Sequence, residues 1–244
     1  MKIAVLFDGA GGARLGLEQA GHECIGVELD KNKHYLSQFV GSGKCILGDA
    51  TQFDVGPYDA IWASPPCQLR SSANNTGRTI SQYGTNYLDW CLSLIQKYPD
   101  KVIWIENVVI QGKKGNEWGK IWNAAQFLKT PIQNRNRVIG GRYKDPKVFH
   151  PWKKTFKGIC PCITASEYKG CASDTRRASR FYGRRLTINE CAYHQGLNIN
   201  PKSGWKDTQP SWFTGTEGEW RKELYTAIGN MVPPYMAKAF GEVY

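Results

Sequence analysis

Cys67 and Glu106 are the side chains of this 244-residue sequence best placed by their neighbours to carry chemistry. Cys67 follows Ser64–Pro66, and two consecutive prolines fix φ and remove two backbone donors, which would hold the next side chain rigidly. A cysteine is more often a small buried hydrophobe, and that is our interpretation of most of the other seven. Glu106 emerges from an apolar run, which suits a proton donor, although a solvent-exposed acid at a strand end fits its position equally well.

Three other segments carry residue types that could hold a nucleotide. The glycines of Phe7–Gly12 would let the backbone approach a ligand and open a helix toward it. Glu28 ends the next apolar run, where an acid can accept hydrogen bonds from ribose hydroxyls, and Asp49 is placed to bind an adenine amino group. A glycine-rich turn alone also occurs without any ligand. The trio predicts an adenosine-containing cofactor, either a dinucleotide or S-adenosylmethionine.

The elements that must position these residues alternate between apolar runs and helical patterns. Buried strands are predicted at Lys2–Phe7, Cys24–Glu28, Lys44–Leu47, Ala60–Ala63 and Val102–Glu106. Helices are predicted at Ala13–Ala20, Lys31–Val40, Tyr87–Tyr98, Glu117–Leu128, Thr187–His194 and Pro233–Phe240, with a Gly-Asn turn before the last one. This alternation predicts an α/β fold, a doubly wound and mostly parallel sheet with ligands at the carboxyl ends of its strands.

Two further motifs contain charged residues at regular spacing. In Gln133–Arg137, strand alternation would place Arg135 and Arg137 on one face, with exposed arginines on an edge strand as the alternative. Thr187 and Glu190 have the spacing of a capping box, which accounts for both residues without a functional role.

Positive charge is concentrated in one stretch of the chain. The net charge is +11, with 32 Lys and Arg against 21 Asp and Glu. Twelve of the basic residues are Arg142, Lys144, Lys147, Lys153, Lys154, Lys157, Lys169, Arg176, Arg177, Arg180, Arg184 and Arg185. A solvated basic face is one explanation, but such segregation favours a lobe that faces a polyanion. We therefore predict a domain at residues 1–141, a small irregular basic lobe at 142–183 and a return to the first domain at 184–244.

Composition excludes several classes of protein. No apolar run approaches the roughly 20 residues of a membrane-spanning helix, so no membrane partner is expected. The first residues are typical of a strand and a turn rather than of a signal peptide. Eight irregularly spaced cysteines indicate thiols of a reducing cytoplasm. Zinc binding by Cys160, Cys162, Cys171 and His150 is a weaker interpretation than ordinary packing, because Cys-x-Cys spacing is atypical; we expect no metal.

Taken together and in order, these motifs resemble those of the DNA (cytosine-5)-methyltransferase family. The resemblance covers nearly the whole chain outside the basic lobe. Its segments are the turn Phe7–Gly21, the thiol motif Ser64–Gln68, the acid motif Glu106–Val108, the strand Gln133–Arg137, the helix Arg185–Gly196 and the closing motif Gly229–Pro233. Three positions depart from the family pattern, at Leu69–Ser71, Gln82–Asn86 and Ala227, and none of them removes a catalytic group.

The resemblance implies a role for each matching residue. Cys67 would attack carbon 6 of cytosine, Glu106 would bind and protonate the ring, Arg137 would hold the exocyclic oxygen, and Arg135 would support the site near the thiol. It also implies a Rossmann-like fold that uses S-adenosylmethionine. The implied cofactor contacts are Phe7, Ala10, Gly12, Glu28, Leu29, Asp49, Ala50, Pro66, Leu88, Asn230 and Val232.

The implied partner is double-stranded DNA, from which the target base is flipped out. The protein would act as a monomer, or together with a partner subunit that recognises the DNA sequence. Between Arg137 and Arg184 there are 46 residues, which is short for the family's recognition lobe and predicts a short or relaxed target sequence. Two alternatives remain: a tRNA cytosine methyltransferase of the same superfamily, and a protein of another class, either a non-catalytic DNA-binding protein or a dinucleotide oxidoreductase. A restriction system or a phage genome would be the biological setting of a DNA methyltransferase.

Overall fold

One seven-stranded sheet organises the molecule. The computed structural model describes residues 1–66, 87–109, 116–169, 178–197 and 210–244. Its strands are β1 (Lys2–Leu6), β2 (Glu23–Glu28), β3 (Cys45–Leu47), β4 (Ala60–Ala63), β5 (Val102–Val108), β6 (Lys120–Asn123) and β7 (Asn136–Arg142). They lie in the order β3-β2-β1-β4-β5-β7-β6. The first five are parallel, whereas β7 is antiparallel to both β5 and β6. The predicted doubly wound, mostly parallel sheet is confirmed.

Helices cover the sheet. They are α1 (Gly12–Gln19), α2 (Lys31–Ser37), α3 (Tyr87–Lys97), α4 (Ala178–Phe181), α5 (Ile188–Gln195), α6 (Glu217–Asn230) and α7 (Pro234–Gly241). Short 3-10 turns occur at Ala50–Gln52, Ala124–Phe127 and Glu167–Lys169. The five predicted strands and five of the six predicted helices are confirmed, with ends that differ by up to three residues. In the described parts of the chain, no helix combines the length and the apolar composition needed to cross a membrane.

Three of the parallel strands, β1, β4 and β5, are apolar on both faces because helices cover both. In β1, Ile3 and Val5 pack in the cluster that contains Phe240 of α7. Ala4 and Leu6, which point the other way, pack in the cluster that contains Leu88 of α3. A strand buried on both sides is a continuous apolar run rather than an alternating one, which is why these strands could be predicted from the sequence.

A third apolar cluster joins the later part of the chain to the first. Its larger members include Leu36, Val40, Ile163, Leu186, Ile188, Trp220, Leu224, Ile228 and Met231. These residues come from both sides of the predicted boundary at 183/184. The division into 1–141, 142–183 and 184–244 stays a prediction.

The predicted helix at Glu117–Leu128 is wrong. The segment instead forms β6, which pairs with β7 so that Trp122 lies opposite Arg137. Asn123 then ends the strand, because its side chain accepts a hydrogen bond from the Ala125 N–H at 3.0 Å and caps the 3-10 turn that follows. The apolar residues of this segment have helical spacing, but pairing with β7 and this cap stabilise the strand and the 3-10 turn instead.

Helix α6 was not predicted, and the Gly-Asn turn proposed at Gly229–Asn230 is wrong, because both residues lie in the last turn of α6. A signal for this helix exists in the sequence. The Thr216 hydroxyl accepts from the Glu219 N–H and the Glu219 carboxylate accepts from the Thr216 N–H, which is a capping box. The spacing of Thr216 and Glu219 is the same as that of Thr187 and Glu190, and it marks the start of a helix in both places.

Helix α1 packs so closely on α7 that Gly16 leaves no room for a side chain. A Cβ there would clash with the Pro234 carbonyl oxygen and would lie 2.8 Å from the Lys238 backbone nitrogen. We expect Gly16→Ala to lower the free energy of unfolding by about 1–3 kcal/mol, measured by urea denaturation. Gly48→Ala is the control, because its nearest neighbour would be Ile46 Cγ2 at 3.9 Å; equal stability losses in the two variants would contradict this packing.

Candidate active site

The carboxyl ends of the five parallel strands bring most of the predicted site residues to one edge of the sheet. Parallel strands that begin on one side must end on the other, and β1 and β4, which are neighbours, lie where the order of winding reverses. The residues after β1, β2 and β3 form the candidate cofactor side. The end of β4, the last residues of β5 and the start of β7 form the candidate catalytic side.

Glu28, at the end of β2, fixes the glycine-rich turn. It is buried, and its carboxylate accepts hydrogen bonds from the Gly9 N–H at 2.8 Å and the Asp30 N–H at 2.9 Å. A carboxylate offers about four acceptor positions, so these two bonds leave capacity for ligand hydroxyls. Glu28 therefore shapes the turn as well as having the chemistry expected of a ribose acceptor.

Phe7 occupies an unusual backbone conformation at the end of β1. Its φ is 57°, a left-handed value that is rare for a bulky residue and is typical of functional sites. The ring contacts Tyr87 and Trp90 edge-on, with centroids 5.5 and 6.2 Å apart. Leu88, another predicted contact, is buried in the adjoining core, so Phe7 is held against the start of α3.

Leu29, Asp49 and Ala50 differ in exposure. Leu29 is 64% exposed, a high value for a leucine next to a buried glutamate. Asp49 is exposed, and its Oδ1 accepts hydrogen bonds from both the N–H and the hydroxyl of Thr51 at 2.8 Å. Ala50 is buried. The edge thus presents an apolar surface at Leu29 and a carboxylate at Asp49.

The end of α6 meets the start of α1. A Cβ on Gly12 would clash with Met231 Cγ and with the Val232 carbonyl oxygen, so this glycine is required by packing even without a ligand. Val232 and Ala10 are buried, whereas Asn230 is exposed. The structure therefore brings the predicted contacts from the two ends of the chain together.

A buried ion pair under this turn was missed by the sequence analysis. Arg14 Nε lies 3.0 Å from Asp8 Oδ2, and both side chains are fully buried. Arg14 also donates to the Ser37 and Val40 carbonyl oxygens, at 2.7 and 3.0 Å. Burial raises the pKa of the Asp8 carboxyl to about 6, although the nearby Arg14 opposes the rise. A charged residue directly before Gly9, six positions from an arginine within a helix, was the available signal.

On the catalytic side, Glu106 and Arg137 form a nearly buried ion pair. Arg137 Nε lies 2.8 Å from Glu106 Oε1, and the two side chains are 11% and 8% exposed. Arg137 also donates to the Asn136 carbonyl oxygen at 2.7 Å. The pair spans β5 and β7, where Val108 lies opposite Arg137. Removing one partner of such a pair leaves an uncompensated buried charge, so each holds the other in place.

Asn107 connects this pair to the end of β4. Its Nδ2 donates to the Pro65 carbonyl oxygen at 3.2 Å, which fixes the backbone just before Pro66, an exposed residue. Cys67 lies outside the described residues. The geometry of two adjacent strand ends is thus set by an amide that the sequence analysis placed in a motif without giving it a role.

Arg135 has different partners from Arg137. It is fully buried and donates to the carbonyl oxygens of Ile163, Gly229 and Met231, at 2.7, 2.8 and 3.0 Å. Burial, followed by the charge of Arg137, lowers its pKa. The alternative of exposed arginines on an edge strand is wrong for both residues. The contacts of Arg135 are with the backbone that leads to Asn230 and Val232.

Within the described residues, Cys160 and Cys162 do not assemble with other metal-binding side chains. Cys162 Sγ lies 3.2 Å from Arg135 Nη1, and His150 Nε2 lies 3.0 Å from the Lys129 carbonyl oxygen. Among the residues that the structure describes, no group of three or more His, Cys, Asp or Glu could hold a metal ion. Cys171 lies outside them.

Comparison with known proteins decides the family. The family model for C-5 cytosine-specific DNA methylases matches residues 1–129, slightly more than half of the chain. The chain belongs to this family. The resemblance predicted from the motifs is confirmed.

Curated relatives of this methylase-family chain are bacterial type II methyltransferases. It is 35% identical to M.NlaX of Neisseria lactamica over 125 residues, covering 49% of the chain and 39% of the relative. It is 30% identical to M.HpaII of Haemophilus parainfluenzae over 148 residues, covering 59% and 39% respectively. The chain therefore spans about two fifths of the length of these relatives.

Solved structures match the methylase-family chain along nearly its whole length. The Entamoeba histolytica methyltransferase EhMeth has a TM-score of 0.59, with 98% of this chain and 96% of that chain covered at 15% identity. The S. pombe Dnmt2 methyltransferase has a TM-score of 0.56, with 100% and 96% covered at 14% identity. At this identity the likeness concerns the fold, which is that of Rossmann-like methyltransferases.

Because the pKa of Asp8 is raised in the folded chain, the free energy of unfolding should depend on pH. The Asp8 carboxyl titrates near 6 in the folded chain and near its ordinary value of 3.8 when unfolded. Between these values the folded form keeps a proton that the unfolded form has lost, so this contribution to stability is present at low pH and is lost as the pH rises through 6.

We expect Asp8→Asn to abolish that dependence. The free energy of unfolding of the wild type, minus that of the variant, should fall between pH 4 and 6 by up to about 1.4 kcal/mol per pH unit. Urea denaturation across that range measures it, with the exposed Asp145→Asn as control. Parallel pH profiles for wild type and Asp8→Asn would contradict the assignment.

Proposed function

We propose that this chain transfers a methyl group from S-adenosylmethionine to carbon 5 of a flipped-out cytosine in double-stranded DNA, acting as a monomer through a covalent intermediate on Cys67. The observation that carries the proposal is the Glu106–Arg137 ion pair beside the end of β4. It offers a carboxyl group and a guanidinium at one strand edge, which is the chemistry that a cytosine ring requires. Family membership supports the same reaction.

The cofactor side has residues suited to S-adenosylmethionine. Glu28 can accept from ribose hydroxyls, and exposed Leu29 offers an apolar surface to an adenine. Exposed Asp49 can accept from its amino group. Phe7, Ala10, Gly12, Ala50, Pro66, Leu88, Asn230 and Val232 are the remaining proposed contacts. When bound, S-adenosylmethionine supplies an electrophilic methyl group on a sulfonium sulfur.

The protein must make carbon 5 of cytosine nucleophilic. The Cys67 thiolate adds to carbon 6, and the electrons of the 5,6 double bond shift toward carbon 4 and ring nitrogen 3, which takes a proton from the Glu106 carboxyl group. Carbon 5 would then take the methyl group as the bond between that methyl group and the sulfonium sulfur breaks, with a neutral thioether as the leaving group. Loss of the carbon 5 proton to water, return of the ring-nitrogen proton to the Glu106 carboxylate and departure of the Cys67 sulfur restore the aromatic ring and the free thiolate.

Two arginines of the same motif have separate tasks. Arg137, which is fixed by Glu106, would hold the exocyclic oxygen of the cytosine. Arg135 supports the site through the Ile163, Gly229 and Met231 carbonyl oxygens. It therefore positions the backbone around Asn230 and Val232 rather than touching the base.

The target base must leave the stack before it can reach such a pocket, at a cost of about a few kcal/mol. Phosphate contacts from basic residues would help to offset this cost. We propose that the basic lobe, which exposes Lys153, Lys154 and Trp152, supplies such contacts and reads a short or relaxed sequence, because so few residues are available for base contacts.

The substrate is tested by incubating the protein and radiolabelled S-adenosylmethionine with duplex DNA or with tRNA. We expect label in 5-methylcytosine of DNA. Label in tRNA alone would contradict the proposal and favour the RNA-modifying alternative. Duplex binding without label in either nucleic acid would favour the non-catalytic alternative.

Glu106→Gln should slow DNA methylation by about 10²–10⁴-fold, because an amide cannot donate the proton. Cys67→Ser should abolish turnover and spare duplex binding, because a serine hydroxyl is not ionised at neutral pH. The exposed Glu242→Gln, which loses a surface pair with Lys238, is the control for charge and should keep the wild-type rate. A wild-type rate in either site variant would overturn the mechanism.

A further inference from the structure

A basic groove lies along α6, formed by residues outside the candidate active site. It has a volume of about 320 Å³, and its walls are Tyr168, Arg185, Gly218, Arg221, Lys222 and Tyr225. We call it the α6 groove. Its residues come from three separated parts of the sequence, so the groove exists only in the folded chain.

Three of the six residues that line the α6 groove are cationic and none of the six is acidic, although Glu217 and Glu219 lie on the same helix. Arg185, Arg221 and Lys222 are all exposed or partly exposed. Arg221 Nη1 lies 3.7 Å from Glu217 Oε1, a surface pair in which the glutamate is 75% exposed. Within the described ranges, no carboxylate lies within 4 Å of the charged groups of Arg185 or Lys222. Because an exposed pair contributes little binding energy, all three cations can be recruited by an anion.

The walls of the groove are held by the core and by ring contacts. Tyr225 is buried, and its hydroxyl donates to the Leu186 carbonyl oxygen at 2.7 Å, which fixes the backbone next to Arg185. On the other wall, the Tyr168 ring has Lys222 Nζ at 5.7 Å and Lys169 Nζ at 5.8 Å from its centroid. Tyr168 therefore gathers two cations, and Lys169 adds positive charge beside the groove.

This combination suits the phosphates of a nucleic-acid backbone. Several cations around one concave surface favour a polyanion over a single small anion, because a polyanion releases its own counterions when it binds. Arginine also binds phosphate oxygens in a bidentate way. Two of the groove's segments, at residues 168–169 and 185, belong to the basic stretch of the sequence, and the third segment, in α6, adds Arg221 and Lys222.

We propose that the α6 groove binds backbone phosphates of the duplex that carries the target cytosine, outside the candidate active site. This proposal rests on the proposed function, because it takes double-stranded DNA as the substrate. The groove would add affinity that does not depend on the base sequence. It would thereby help a short recognition lobe to hold the duplex while a base is extruded.

The test measures duplex binding against salt concentration. Fluorescence anisotropy with a labelled duplex, from 50 to 250 mM salt (roughly the range over which counterion release is resolved), gives log K against log salt. For the double variant Arg221→Gln with Lys222→Gln we expect the slope to become shallower by roughly 1–2 units, because each phosphate that is no longer neutralised reduces it by about 0.9. The decrease in affinity should be similar for unrelated duplex sequences.

Two matched variants complete the experiment. Lys44→Gln with Lys238→Gln removes the same net charge from exposed positions outside the groove and should keep the wild-type slope. Lys222→Arg preserves the charge and should keep it too. Thermal unfolding of each variant verifies that the fold is intact.

Each contrary outcome has a distinct meaning. A wild-type slope in the groove variant, in a protein that methylates DNA, would overturn the groove and leave the proposed function standing. Equal decreases in the groove variant and the two-lysine control would also overturn it, since net charge would then explain the effect. If the groove variant bound tRNA more weakly and bound duplex DNA as the wild type does, the assignment to DNA would be wrong. A wild type without affinity for duplex DNA would overturn both proposals.

Discussion

The positions of the candidate catalytic groups depend on one ion pair, between a carboxylate on a parallel strand and a guanidinium on an antiparallel one. Glu106 and Arg137 meet where the parallel part of the sheet ends and β7 runs back along β5. Two nearly buried charges are expensive unless they satisfy each other, so the register of β5 on β7 and the geometry of the pair are mutually dependent. Asn107, next to Glu106, links this region to the end of β4 by donating a hydrogen bond to the Pro65 carbonyl oxygen.

A second network of hydrogen bonds holds residues 228–232 beside the candidate cofactor side. The Gln133 amide donates to Gln195 Oε1 at 2.7 Å, and the Gln195 amide donates to the Ile228 carbonyl oxygen at 2.6 Å. Arg135 binds the carbonyl oxygens of Gly229 and Met231 nearby. Several residues that resemble family motifs therefore hold the fold together, and through it they place Asn230 and Val232 beside the turn at Gly12.

The sequence predicted the parallel strands and the edge at which the site lies, because the central strands β1, β4 and β5 are buried on both faces and leave continuous apolar runs. The sequence-based predictions were wrong where tertiary contacts outweigh the local spacing of apolar residues. Trp122 belongs to β6 because β7 is available for pairing, and no local signal reports that partner. The spacing of Asp8 and Arg14 did not reveal that they are buried, since their burial depends on α2, which contributes the Ser37 carbonyl oxygen. Motif spacing identified the charged residues of the site. It could not distinguish those that would contact the base from those, such as Arg135, that bind backbone carbonyl oxygens.

The most direct test of the central claim is covalent trapping on a duplex whose target cytosine carries fluorine at carbon 5. Fluorine cannot leave as a proton does, so the adduct between the thiol and carbon 6 should persist through denaturing electrophoresis. With S-adenosylmethionine present, we expect the adduct to map to Cys67 by peptide mass spectrometry and to form far more slowly in Glu106→Gln. Methylation of ordinary duplex without any adduct, or equally fast trapping by Glu106→Gln, would contradict the mechanism.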